Sequence, residues 1–60
     1  MITTLFDNIR DIRADSVVLD MPYPVRADEY VEIDGVSMIV ISVAWVVETG
    51  RPITLVARVK

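Results

Sequence analysis

One uncharged run near the middle of this chain decides its fold: Val36–Val47, which reads VSMIVISVAWVV. Asp34-Gly35 precedes the run and Thr49-Gly50 follows it, and both dipeptides are typical of tight turns between antiparallel strands. Side chains alternate between the two faces of a strand, so a strand with one wet face should alternate apolar and polar residues. This run is apolar on both faces. Its second face therefore needs a cover, from this chain or from another.

Folding the chain at the two turns predicts which residues share a face. A two-residue loop at the first turn pairs Tyr30 with Ile39, and a two-residue loop at the second turn pairs Ala44 with Leu55. The core face predicted by this register holds Val31, Ile33, Val36, Met38, Val40, Ala44, Val46, Ile53, Leu55, Ala57 and Val59. The opposite face holds an apolar stripe of Tyr30, Ile39, Ile41, Val43, Trp45, Val47 and Val56, bordered by Glu32, Thr54, Arg58 and Lys60.

The amino-terminal third has two different patterns. In residues 1–15 the apolar side chains recur at helical spacing (Leu5, Phe6, Ile9, Ile12), which predicts a short helix; an irregular arm that grips a neighbouring subunit is the alternative. Ser16–Met21 alternates with period two and predicts a strand. Pro22-Tyr23-Pro24 should end that strand, because proline has no N–H to donate to a ladder.

These elements predict a single all-β domain over residues 1–60. Residues 16–60 form a four-stranded antiparallel barrel or curled sheet, and residues 1–15 form the short helix or arm. The central run is long for so small a domain, and its small residues Ser42 or Ala44 are the expected bend. The last strand is expected at a sheet edge, since it starts at Pro52 and ends in charged residues.

The residue types exclude most catalytic chemistry. The chain has no cysteine, no histidine and one lysine, so thiolate, imidazole and common zinc chemistry are absent. Both glycines belong to turns, which leaves no phosphate-binding loop. Asp7, Asp11 and Asp15 would stack along one face of a helix, but we interpret them as a solvated face and not as a cation site. We expect a protein that is not an enzyme and holds neither cofactor nor metal.

The net charge and the hydropathy of the chain exclude some classes of binding partner. The net charge is −3 and the six basic residues are scattered, so a nucleic-acid footprint is not expected. Twelve apolar residues in a helix would span about 18 Å, short of a bilayer core of about 30 Å. The amino terminus lacks the features of a signal peptide. We therefore expect neither membrane insertion nor secretion.

The segment from Val25 to Val47 resembles a known group. Its elements follow one another in this order: an acidic turn (Asp28-Glu29), a short strand (Tyr30–Ile33), the Asp34-Gly35 turn, Met38-Ile39-Val40, and then Val43 and Trp45. This is similar to the β-hairpin core of short SH3-like barrel proteins that serve as head, neck or tail accessory proteins of tailed bacteriophages. The resemblance implies a structural role in a virion, with the virion or the host cytoplasm as location. No set of functional residues carries over.

We therefore expect a structural protein that acts through protein–protein contacts, as a homo-oligomer or in a larger assembly. The predicted interface residues are Tyr30, Ile39, Ile41, Val43, Trp45 and Arg58; tryptophan and arginine are common interface anchors. A small regulatory or inhibitory protein that binds one host protein is the alternative. A barrel that binds single-stranded nucleic acid is the third possibility.

Overall fold

The computed structural model of the protein describes residues 1–9 and 16–60. Within these residues the chain forms no helix and five strands: β1 (Ile2–Asn8), β2 (Val17–Met21), β3 (Tyr30–Ile33), β4 (Val36–Val46) and β5 (Thr54–Val59). They form one curled, half-barrel sheet in the order β2-β1-β5-β4-β3. Neighbouring strands are antiparallel except β1 and β5, which are parallel. The all-β prediction is confirmed, with five strands instead of four.

The helix predicted at the amino terminus is wrong over Ile2–Asn8, which is strand β1. Thr4 and Phe6 turn into the core on alternate residues, and β1 is hydrogen-bonded to β2 on one side and β5 on the other. A helix of about ten residues is unstable alone in water, so two flanking strands outcompete it. The rest of the predicted helix, with Asp11 and Asp15, lies in residues 10–15, outside the described part of the chain.

Strand β5 lies at the centre of the sheet, which corrects the prediction that it forms an edge. β1 pairs with it on one side and β4 on the other. The backbone N–H of Ile9 extends the first pairing by donating to the carbonyl oxygen of Val59 at 2.8 Å. Pro52 lies in the loop before β5, so its missing N–H costs the ladder nothing.

The first hairpin has the predicted register. Tyr30 pairs with Ile39 and Ile33 with Val36. Asp34 and Gly35 have φ values of 51° and 81°. Positive φ at both central residues is what a type I′ turn requires, and aspartate followed by glycine tolerates it well.

The second hairpin has the predicted turn but not the predicted register. Gly50 has a φ of 81°, and the N–H of Arg51 donates to the carbonyl oxygen of Glu48 at 3.1 Å, which closes a turn around Thr49-Gly50. The strands end before this turn, so the connection runs through residues 47–53 and is longer than two residues.

A register shift at Ile41 moves the far half of β4 by one residue. Val40 pairs with Val59 as predicted, but Ser42 then pairs with Arg58 and not with Ala57. An extra residue of this kind is a β-bulge, which bends a strand and increases its twist. The bulge therefore lies one residue before Ser42 and three residues before Ala44, the two positions at which the bend was predicted.

The core lies on the inner face of the curl. Its buried apolar residues are Phe6, Val25, Val40, Leu55, Ala57 and Val59, and half-buried Ile2, Val17, Leu19, Met21, Val31, Ile33 and Met38 pack around them. Val25 comes from the connection between β2 and β3. The buried hydroxyl of Thr4 donates to the carbonyl oxygen of Ile2 at 3.0 Å, so its polarity is satisfied.

The connection from β2 to β3 is held by local hydrogen bonds. As predicted, β2 ends at Met21, before the Pro22-Tyr23-Pro24 triplet. The Glu29 carboxylate accepts the backbone N–H of Arg26 at 2.9 Å. Asp28, with a φ of 72°, donates its N–H to the carbonyl oxygen of Val40 at 2.8 Å. This loop therefore attaches to the middle of β4.

Asp28 is a position where a β-branched residue should be costly. A left-handed backbone costs an L-residue about 1–2 kcal/mol, and aspartate bears it better than valine does. We expect Asp28→Val to lower the free energy of unfolding by about 1–2 kcal/mol and Asp28→Gly to leave it nearly unchanged. Urea unfolding followed by circular dichroism measures both. Ala27→Val is the matched control, and an equal loss there would refute the backbone explanation.

Candidate protein interface

Beyond the bulge, β4 leaves the core and exposes both faces. Ile41–Val47, called the β4 extension below, carries no charge, and every residue from 41 to 53 is exposed. Trp45 keeps 52% of its surface accessible. The large apolar residues exposed here are Ile41, Val43, Trp45, Val46, Val47 and Ile53. Contiguous apolar surface of this kind usually marks a protein interaction site.

The β4 extension also has a free backbone edge. β5 pairs with one edge of it, whereas pairing with β3 ends at Ile39. Asp28 and Glu29 then bond Val40, each at 2.8 Å, and nothing in residues 1–9 or 16–60 pairs with that edge after Val40. In an antiparallel ladder, alternate residues point N–H and C=O away from the partner strand. An apolar, uncharged edge with such groups is a template for another strand.

The bulge divides the predicted stripe between two faces. Val43 pairs with Ala57 and Trp45 with Leu55, and paired residues share a face. Both partners are buried on the inner face, so Val43 and Trp45 lie on the core side of the sheet, beyond the part that is covered. The single outward stripe predicted for these residues is wrong, because the bulge reverses the alternation after Val40.

The other predicted interface residues fall into two places. Ile41 sits at the bulge. Tyr30 and Ile39 form a cross-strand pair on the outer face, where Tyr30 is 77% exposed and Ile39 is half-buried. Arg58 pairs with Ser42 on that same face. The structure therefore brings together Ile41, Val43 and Trp45 in the β4 extension and leaves Tyr30, Ile39 and Arg58 on the outer face.

Sequence reasoning missed part of this surface. Ala44, Val46 and Ile53 were predicted in the core, yet all three are exposed. This error has two causes. The β-bulge at Ile41 turns Ala44 and Val46 to the outer face, and Ile53 lies in the connection before β5. The sequence did carry one signal of this surface. Val43–Val47 is apolar at both sets of alternating positions, so the pattern does not say which face is buried, and it also fits a strand whose two faces are both exposed.

No family model, curated protein or solved structure matches this chain. Among the described residues, no helix has the length and apolar character to cross a membrane. No cluster of three or more aspartate, glutamate, histidine or cysteine side chains suited to a metal ion occurs in residues 1–9 and 16–60.

A groove lies at the opposite end of the inner face from Trp45. It encloses about 320 Å³ between the ends of β1 and β2 and the first hairpin. The amide of Asn8 donates weakly to the sulfur of Met38 at 3.8 Å there. Its lining residues are Phe6, Asn8, Val17, Ile33, Asp34, Val36, Met38 and Val59. Two apolar regions therefore lie at the two ends of β4.

Proposed function

We propose that this protein is a non-enzymatic assembly protein that self-associates through the β4 extension. The observation that carries the proposal is the coincidence of a free backbone edge with apolar side chains on both faces of the same segment. Soluble proteins ordinarily protect such an edge with charge, proline or a covering element. The β4 extension has neither charge nor proline. A second chain would supply the missing cover.

The energetics favour moderate, concentration-dependent association. Six apolar side chains of the region stay exposed, each over roughly half of its area, so burying the remainder is worth about 1 kcal/mol each. A symmetric pair that buried all of this area would gain at most about 12 kcal/mol, against association costs of roughly 4–15 kcal/mol. Costs near the lower end of that range leave a dissociation constant in the micromolar range.

Sedimentation velocity over a dilution series tests the proposal. We expect the weight-average mass to rise from nearly one chain at about 0.1 μM toward at least two chains at about 100 μM. The reason is that a net free energy of about 8 kcal/mol places half-saturation near 1 μM. Raising the salt concentration should leave the association intact, since the contact surface is uncharged. A monodisperse monomer at every concentration would contradict self-association.

A phage capsid, neck or tail is the specific assembly that we propose. Its support is the resemblance of Val25–Val47 to short SH3-like accessory proteins of tailed phages, together with the curled β-sheet. Repeated copies in a particle would cover the β4 extension of each chain. Co-purification of the protein with particles, in a fixed copy number, is the corresponding test.

The two other candidate functions predict different results. A protein that inhibits or regulates one host protein would be monomeric alone and would use the free edge to bind a strand of its target. A single-strand nucleic-acid binder needs cations beside the stacking aromatic ring. Trp45 lies on the inner face and Arg58 on the outer face, so that role has less support. A mobility shift of labelled single-stranded oligonucleotide at low salt would support nucleic-acid binding.

A further inference from the structure

We infer that two copies of this chain pair antiparallel along the free edges of their β4 extensions, with Ala44 opposite Ala44 of the second copy. This inference rests on the proposed self-association and adds its partner strand, direction and register. The two half-barrels would then share one continuous ten-stranded sheet. The occupant of the edge is a second copy because the segment is uncharged throughout, so it can face itself without opposing like charges.

The ends of the free edge determine where its centre lies. Asp28 and Glu29 occupy the edge at Val40, each through a hydrogen bond of 2.8 Å, so the first free residue is Ile41. The last apolar residue before the charged turn is Val47. Ala44 is the midpoint of this seven-residue stretch. Pairing about Ala44 uses the whole free edge, whereas any other centre leaves part of it uncovered.

Symmetry independently requires a residue at the centre. Opposed pairs in an antiparallel ladder alternate between hydrogen-bonded and non-hydrogen-bonded types. A two-fold axis makes symmetry-related pairs identical, so it cannot pass between two adjacent pairs of different type. It must pass through a residue that faces its own copy. Closed two-fold pairs are also the commonest arrangement of identical subunits. Ala44, exposed and small, lets the two backbones approach there.

This register gives the exposed tryptophan an apolar partner. Val43 of each chain lies opposite Trp45 of the other, so two aromatic–valine pairs form on the inner faces, and such pairs stabilise sheets. Ser42 lies opposite Val46 on the outer faces, on both sides of the axis. Val43 and Trp45, two residues of the predicted stripe, thus pair with each other across the two-fold axis.

The acidic turns favour the antiparallel direction over the parallel one. A parallel pair would put the two turns that hold Arg26, Asp28 and Glu29, each with a net charge of −1, side by side at the same end. The antiparallel pair places them at opposite ends, next to the turn that holds Glu48 and Arg51 of the other chain. That turn carries one charge of each sign, joined by a 3.9 Å ion pair. Its net charge is zero, so it does not repel the acidic turn of the other chain.

Single cysteines test the register directly, because the chain has none of its own. Ala44→Cys should form a disulfide-linked dimer on mild oxidation, since opposed residues have Cα atoms about 4.5–5.5 Å apart, within the range a disulfide spans. Ser42→Cys alone should not, because the two copies of residue 42 lie about 13 Å apart along the strands. Ser42→Cys mixed with Val46→Cys should cross-link again. Circular dichroism verifies that each variant is folded.

The outcomes separate this inference from the proposed function. Cross-linking of Ala44→Cys about tenfold faster than Ser42→Cys, with cross-linking of the mixed pair, supports the inference. Cross-linking of all three single variants with themselves indicates parallel pairing and overturns it. A wild-type chain that associates while no variant cross-links also overturns it, and the proposed function survives. A wild-type chain that stays monomeric overturns both.

Discussion

Replacing Trp45 with alanine is expected to dissociate the assembly and leave the subunit folded. The side chain is 52% exposed in the single chain and lies outside the buried core cluster. Truncating a central interface tryptophan costs about 2–4 kcal/mol, and a two-fold pair contains two such residues. The association constant should therefore fall by roughly 10³-fold or more. Analytical ultracentrifugation of a dilution series measures the change.

The subunit itself should lose little stability in the same variant. Thermal unfolding at a concentration where the wild type is monomeric should show a midpoint lowered by no more than about 8 °C, which is about 1 kcal/mol for a domain of this size. Tyr30→Ala is the matched control, since Tyr30 is an exposed aromatic residue outside the β4 extension. It should change association less than threefold. Parallel loss of association and of subunit stability in Trp45→Ala would assign the tryptophan to the core.

Phe6→Ala should remove most of the stability of the fold. Phe6 is 2% exposed, on the inner face of β1, where it pairs with buried Ala57. Deleting a buried phenylalanine side chain costs about 3–5 kcal/mol, and a 60-residue domain has roughly 3–9 kcal/mol in total. Urea unfolding followed by circular dichroism should show a midpoint near zero denaturant. Phe6→Leu, with a smaller cavity, should fold with a reduced midpoint if the alanine variant does not fold.

Leu5→Ala is the control that separates a strand from a helix at the amino terminus. Leu5 is half-buried on the outer face of β1, so its truncation should cost about 1 kcal/mol. In the predicted helix, Leu5 and Phe6 lay on the same apolar stripe and would have mattered about equally. Similar losses for the two variants at one protein concentration would therefore contradict the strand.

Some sequence predictions succeeded because their cause is local. Asp34-Gly35 set the first hairpin because both residues accept positive φ, and the two-residue loop then fixed the pairing of Tyr30 with Ile39. The period-two pattern of Val17–Met21 and the prolines that follow it determined β2 in the same way. The candidate site was found only in part: Ile41, Val43 and Trp45 were identified, but their faces were not.

The failures came from interactions between distant parts of the chain. Residues near the amino terminus pack as β1 only because β5, at the other end of the chain, offers an unpaired edge beside it. No local pattern in Leu5, Phe6 and Ile9 specifies that partner. The same pairing makes β5 central, although its own sequence suits an edge.

The sequence alone identified Val36–Val47 as an apolar run, because its lack of charge and the two-residue period of its side chains are properties of the chain itself. The sequence alone did not determine that the two halves of the run have different environments. The bulge at Ile41 exists only in the pairing of β4 with β5, and it decides that Val40 closes the core while Trp45 extends past it. One inserted residue reverses every later side chain, and that reversal is settled by packing between strands.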